Sequence, residues 1–472
     1  MGTMTTRVWL GADFLLGLAL NGYGAALFAA GCGVGGTEIT CGTGTTRQGD
    51  ICIVGALDAS VLESGASLQG PKGDAESTVT PVDGDTAPWD ESGSSGPSDS
   101  GAPRNQASGS FLADRTVPTD STSAPSFLEN PAHSGYVDDP LVTPPLAPLW
   151  SASLGGNVSY PLIADGRVYV LAGSDLVAID ASTGAQLWRV DAGGAFAHAY
   201  DAGRIFTITE SGLMASFDAA SGAPGWSVSM PGQYGFSSSP TAYRGIVYVG
   251  GSGSGGTLYA TDESNGHLLW SNNVQNGDDS APAVDDTGVF VSYACVQAYG
   301  FNRTTGAPLW YYAGPCEGGG GATTVLSGGV LYTRDTMGNL ALDAATGAVQ
   351  GSFSASVPPA FDGTRGFFLS NGTLRAETVA TKAVVWSFTG DGALASAPLV
   401  VGGDVYVGSA QGGLFAVNVM TGAVDWSTTV GAILGFREAR SPAPFAAGGG
   451  LLVVPAGTNV IAYAHDQTAG GG

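Results

Sequence analysis

Short runs in which apolar residues alternate with polar or small ones recur along the C-terminal two-thirds of the chain, each bounded by glycine or proline. Gly166-Arg-Val-Tyr-Val170, Gly245-Ile-Val-Tyr-Val249 and Gly403-Asp-Val-Tyr-Val407 form one set, and Leu176-Val-Ala-Ile-Asp180, Leu258-Tyr-Ala-Thr-Asp262 and Leu414-Phe-Ala-Val-Asn418 form the set that follows. A further set opens at proline, as in Pro161-Leu-Ile-Ala-Asp-Gly166 and Pro398-Leu-Val-Val-Gly-Gly403. Runs of this length, rich in Val, Ile and Tyr and bounded by turn residues, predict strands. Each group ends in one phrase: Asp or Asn, two free positions, Ser, Thr or Asn, a glycine, three free positions and a tryptophan. The copies are Asp180 to Trp188, Asp218 to Trp226, Asp262 to Trp270, Asn302 to Trp310 and Asn418 to Trp426. An Asx side chain folds back on the backbone two residues on, and glycine accepts the positive φ of a tight turn, so the phrase predicts a hairpin leading into a fourth strand.

The tryptophan slot falls at Trp150, Trp188, Trp226, Trp270, Trp310, Gly351, Trp386 and Trp426, a period near forty residues. Two copies are degraded: Asp343 to Gly347 leads to Gly351, and Thr378, Thr381 and Lys382 precede Trp386. Four-stranded units at this period predict a β-propeller, and the count predicts eight blades. The strand of Trp150 lacks a preceding blade, while the last unit, ending Val460-Ile-Ala-Tyr-Ala464, lacks a tryptophan strand. The two complete each other and close the ring.

The units resemble the pyrroloquinoline-quinone-type (PQQ-like) repeat over about residues 146 to 467. The resemblance implies an all-β, eight-bladed propeller of four-stranded antiparallel blades, with Trp150, Trp188, Trp226, Trp270, Trp310, Trp386 and Trp426 locking adjacent blades. Two kinds of protein share that repeat: quinone-dependent dehydrogenases, and non-catalytic propellers such as the outer-membrane assembly lipoprotein that serves the barrel-insertion machinery.

Composition divides the chain. The propeller spans residues 143 to 468, preceded by a segment over 55 to 142 that is rich in Ser, Gly, Pro, Asp and Thr and has no sustained periodicity. Such a stretch buries too little apolar surface to offset its chain entropy and is expected to be a disordered tether. The chain carries 40 acidic and 16 basic residues, a formal net charge of -24. Phosphate binding needs clustered Lys and Arg, so nucleic acid is excluded as a partner.

Residues 1 to 32 look like a secretory signal ending in a lipobox, with Arg7, the apolar Leu15-Leu-Gly-Leu-Ala-Leu20 and Ala25-Ala-Leu-Phe-Ala-Ala-Gly-Cys32. Lipidation at Cys32 would anchor the protein to a membrane; the alternative is an ordinary signal peptide cleaved nearby. Residues 33 to 54 resemble the small Cys-clamped segment that follows a lipobox in many bacterial surface lipoproteins. In an exported chain the even remainder of cysteines reads as two disulfides, Cys41 with Cys52 and Cys295 with Cys316. The expected setting is the envelope: outer membrane, cell surface or periplasm, as a monomer with an envelope protein or small ligand as partner.

Catalytic signals are sparse. The quinone dehydrogenases are said to need a stacked Trp, adjacent cysteines and a calcium held by Glu, Asn and Asp; this chain has no adjacent Cys pair and no carboxylates in a matching spacing. Neither a nucleophile elbow nor a phosphate loop is present. No cofactor and no metal are expected, and PQQ with calcium belongs to the alternative of a quinone-dependent oxidoreductase. A binding site in a propeller lies where the innermost strands begin. Ser159, Ser238, Ser280 and Ser396 recur there, and residues departing from that pattern are the candidates for a channel-mouth site: His198, Asp278, Asp279, Glu317, Glu438 and Arg440. Solvated loop charges are the competing explanation.

Overall fold

The computed structural model describes the backbone of residues 45–48 and 51–54, and residues 123–233, 235–252, 256–274, 280–293, 297–314, 321–335, 338–438 and 442–468. The chain forms two compact units, Met1–Asp99 and Ser100–Gly472. In the first, Thr45–Gln48 and Ile51–Val54 pair as an antiparallel ribbon, with Cys52 opposite Arg47. The second is all-β and contains the expected eight blades.

Blade one shows how the sequence builds each unit. Leu162–Ala164, Arg167–Ala172, Asp175–Asp180 and Gln186–Asp191 pair in order as an antiparallel meander. Val168, Tyr169 and Val170 are all fully buried, because the middle strands are covered by neighbouring blades on both faces. Alternation of half-buried and exposed positions survives only in the outermost strand. The eighth blade is Ala446–Gly448, Leu451–Ala456 and Asn459–His465 closed by Leu146–Ser153, so the ring is sealed by strands from its two ends.

The repeated phrase is the turn its chemistry predicts. Asp180 Oδ1 accepts the N–H groups of Ser182 and Thr183 at 3.0 and 2.9 Å, Gly184 N donates to Asp180 O at 2.9 Å, and Gly184 has φ 72°. Asn302 and Asn418 hold their turns in the same way.

That glycine has a second use. A methyl group at Gly184 would lie 2.7 Å from the ring of Trp150, in the preceding blade, and the same contact pairs Gly222 with Trp188, Gly266 with Trp226, Gly306 with Trp270, Gly347 with Trp310 and Gly422 with Trp386. Each indole lies flat on the next blade's turn and donates its N–H to a carbonyl there: Trp150 to Ala181, Trp188 to Ala219, Trp226 to Glu263, Trp270 to Arg303, Trp310 to Ala344 and Trp386 to Val419. Trp426 instead meets Tyr463 edge-on at 5.6 Å. At the sixth seam both partners change together. Gly351 replaces the tryptophan, and Lys382 occupies the turn position with φ 58° and reaches back to donate to Gln350 O at 3.2 Å.

The tether expected over 55 to 142 needs correction at its C-terminal end. From residue 123 the chain is built into the propeller. Phe127, Leu128, Val137 and Val142 are buried, and Tyr136–Val137 joins Leu399–Val401 as a parallel fifth strand. A linker-like composition hid this, because what orders the segment is contact with distant strands rather than any periodicity of its own.

Candidate functional site

The innermost strands, where the sequence places a channel-mouth site, surround an axis that the chain fills with itself. Residues 124–135 wind across the inner strands and contact all eight blades. Ala124 exchanges two backbone hydrogen bonds with Ile163 of blade one, and Tyr200 N of blade two donates to Pro125 O. His133 Nε2 lies 3.3 Å from Thr241 Oγ1 of blade three. Val284, Leu326, Phe361 and Val400, on blades four to seven, donate to the carbonyls of Pro131, Ala132, Ser134 and Gly135. Ala447 N of the eighth blade donates to the Glu129 carboxyl at 3.1 Å. The winding uses positive φ at Leu128, Glu129, His133 and Gly135, and the cross-bonds to the blades offset the strain at the three non-glycine residues.

Two titratable groups in this plug are fully buried. Burial raises the Glu129 carboxyl well above the usual range, against the lowering effect of the Ala447 amide. Burial also lowers the His133 pKa to about 4, and its Nδ1 at 3.1 Å from Thr324 O marks the nitrogen that carries the proton. In both, burial favours the neutral form.

Where the inner strands begin, the recurring serines close the inner hairpins. Ser159, Ser238, Ser280 and Ser396 accept the N–H of Leu171, Gly250, Ser292 and Gly408 at 2.8, 3.0, 3.1 and 2.7 Å, always twelve residues on. This is one strand-closing contact repeated in four blades.

His198 is fully buried on the inner strand Ala195–Asp201 of blade two rather than on a solvated loop. Its ring stacks on Tyr160 at 4.7 Å, its backbone N–H donates to the Tyr160 hydroxyl at 2.8 Å, and Nε2 lies 3.3 Å from Tyr169 O. Burial brings its pKa down to about 4, so it is a neutral core imidazole.

Glu438 does reach a polar cluster. Oε1 is 2.6 Å from Arg334 Nη2, and Oε2 accepts from Thr323 Oγ1 at 2.5 Å. Arg334 also donates to Ser356 O at 3.2 Å and lies over the Phe436 ring at 5.6 Å. Phe436 in turn packs at 5.9 Å from Phe127, which meets Tyr160 at 4.9 Å. The loop carrying Phe436 and Glu438 is thus tied to blade five and to the plug. Arg334, Thr323 and Phe436 carried no signal in the repeat pattern; their roles arise from residues about a hundred positions away. Asp278, Asp279, Glu317 and Arg440 lie outside the described residues, as do Cys32, Cys41, Cys295 and Cys316.

Among the described residues the tryptophans face blade seams, and Phe127 packs against Tyr160 and Phe436 between the inner strands. Among the described residues no group of three or more His, Cys, Asp or Glu side chains could hold a metal.

The family model described as outer membrane protein assembly factor BamB, a PQQ-repeat model, matches residues 146–255, 210–356 and 336–468. The chain belongs to this family. No curated protein sequence matches it. Among solved structures it is similar to BamB from Moraxella catarrhalis, at 18% identity and TM-score 0.54, covering 68% of this chain and 99% of that one. It is also similar to the quinohemoprotein alcohol dehydrogenase ADHIIG from Pseudomonas putida HK5, at 13% identity and TM-score 0.60, covering 72% and 80%. A europium-containing methanol dehydrogenase matches at 16% identity and TM-score 0.56, covering 66% and 86%. At these identities the likeness is one of fold, and the fold hosts both kinds of protein.

Proposed function

We propose that this PQQ-repeat propeller is a non-catalytic binding or scaffold module of the bacterial cell envelope. The observation that supports it is the filled axis. Residues 124–135 bridge all eight inner strands, and the Phe436 to Glu438 loop packs on them, so a cofactor at the axis would have to displace a segment held by backbone hydrogen bonds. Removing several buried backbone bonds at once costs on the order of 1 kcal/mol or more for each. The module then works through its outer surface, with an envelope protein as the natural class of partner. Export and a lipid anchor at Cys32 complete the reading. In the test, full-length protein is incubated with pyrroloquinoline quinone and calcium, freed of excess, and assayed for dye-linked alcohol and sugar oxidation. Neither retained chromophore nor dye reduction is expected; stoichiometric quinone with turnover overturns the proposal.

A further inference from the structure

A groove of about 710 Å³ opens away from the axis, between the Pro231–Gln233 connection and the outer strands of blades three and four. That volume lies within the usual range for small-molecule sites. Its walls carry the aromatic rings of Tyr259, Tyr299 and Tyr311 and the polar side chains of Gln233, Ser271 and Asn273. None of the lining side chains is ionisable at neutral pH, so the groove offers hydrogen bonds without charge.

Tyr311 is the residue that the fold does not explain. The position after the tryptophan slot is serine in six of the other units, at Ser151, Ser227, Ser271, Ser352, Ser387 and Ser427, and arginine at Arg189. Here a tyrosine stands directly opposite Tyr299 across the strand pair and stacks on it, with centroids 4.7 Å apart and planes 25° apart. Tyr299 is buried, whereas Tyr311 remains 50% exposed. One ring thus holds the other flat at the groove's edge, with apolar surface left in water. Tyr259, also in the lining, is fixed by donation from its hydroxyl to Pro231 O. Gln233 donates from Nε2 to Thr257 Oγ1 at 2.7 Å, which orients its amide and leaves the buried Oε1 with no donor among the described residues. A buried amide oxygen without a donor costs stability unless something supplies one.

We propose that this groove is a binding site for a neutral saccharide. A pyranose presents an apolar face of C–H groups and a rim of hydroxyls. The first suits the tyrosine platform, and the second supplies the donor that Gln233 Oε1 lacks and the acceptors that the Asn273 amide and Ser271 hydroxyl can use. The absence of charge in the lining disfavours phosphates, carboxylates and basic peptides, whose desolvation would go uncompensated. The site lies off the axis, so the inference goes beyond the scaffold reading and stands or falls separately from the quinone test.

The experiment is titration calorimetry of the full-length protein with cellotriose, maltotriose and tri-N-acetylchitotriose, each to about 10 mM. At least one is expected to bind. Tyr311→Ser, which installs the residue carried by most other units and so is compatible with the blade, should weaken that binding about tenfold or more, and Gln233→Ala should weaken it several-fold, with melting temperatures close to wild type. No binding by any of the three, or binding unaffected by Tyr311→Ser, overturns the proposal. So does equal binding of tri-N-acetylchitotriose and of a charged probe such as trigalacturonate, since the uncharged lining then decides nothing.

Discussion

Truncating one seam tryptophan tests the mechanism that holds the ring together. Trp270 lies flat on the turn glycine of the next blade, where a methyl on Gly306 would come within 2.7 Å of its ring, and donates its N–H to Arg303 O at 3.1 Å. Tyr248 and Phe301 flank it at 6.0 and 6.3 Å. Trp→Ala in a closed core costs about 3–5 kcal/mol. Trp270 is only half-buried and water can reach the vacated carbonyl, so about 2–4 kcal/mol is the better expectation for Trp270→Ala. For a domain of this size, whose unfolding entropy is large, 1 kcal/mol shifts the melting temperature by roughly 1.5 °C, which gives a loss of about 3–6 °C by calorimetry. Trp270→Phe keeps a ring on the glycine and loses only the hydrogen bond, so it should fall by about 1 kcal/mol. A Trp270→Ala melting temperature within about 1 °C of wild type refutes the seam argument. Equal losses in the two variants would assign the stability to the indole N–H rather than to the ring on the glycine.

Deleting residues 1–122 should leave the propeller's melting temperature unchanged, whereas deleting 1–137 removes the axial hydrogen bonds and the parallel strand and should lower it by several degrees; equal melting of the two rejects the plug as a stabilising element. Asp404 has its pKa raised to about 7, by burial first and by the neighbouring Asp425 carboxylate second. Its neutral form is the folded one, so its contribution to stability is full below pH 3.8 and is lost as pH rises toward 7. Asp404→Asn should therefore be more stable than wild type at pH 8 by on the order of 1–3 kcal/mol and lose less stability between pH 5 and 8, and parallel pH profiles would reject this assignment. If Cys32 is acylated, full-length protein expressed in a bacterial host should partition into detergent and Cys32→Ser should move to the aqueous phase; identical partitioning points to plain secretion. Peptide mapping of exported protein should find Cys295 joined to Cys316, and free thiols at both would refute the pairing.

The parts of this molecule legible in its sequence are those whose physics is local or strictly repeated. The Asp180 turn, with its side chain folded onto Ser182 and Thr183 and a left-handed Gly184, depends on five consecutive residues, and its recurrence reveals both the blade and the number of blades. The split last blade was legible for the same reason, since a strand without a unit and a unit without a strand mark the two ends of one period. Tertiary structure alone decided what fills the centre. Residues 124–135 have the composition of a linker, and their order comes from hydrogen bonds to strands that lie up to about three hundred residues downstream. The Glu438 to Arg334 ion pair depends on which blades meet around the ring, and the burial of His198 on Tyr160 and Tyr169 of the neighbouring blade. At the sixth seam, Gly351 and Lys382 look in sequence like two decayed motifs, yet in space the lysine reaches back to the strand that lost its indole. A periodic pattern specifies the repeating unit, because each copy folds by the same local contacts; the axis, the seams and the groove are made where non-identical units meet, and no single unit contains the information that shapes them.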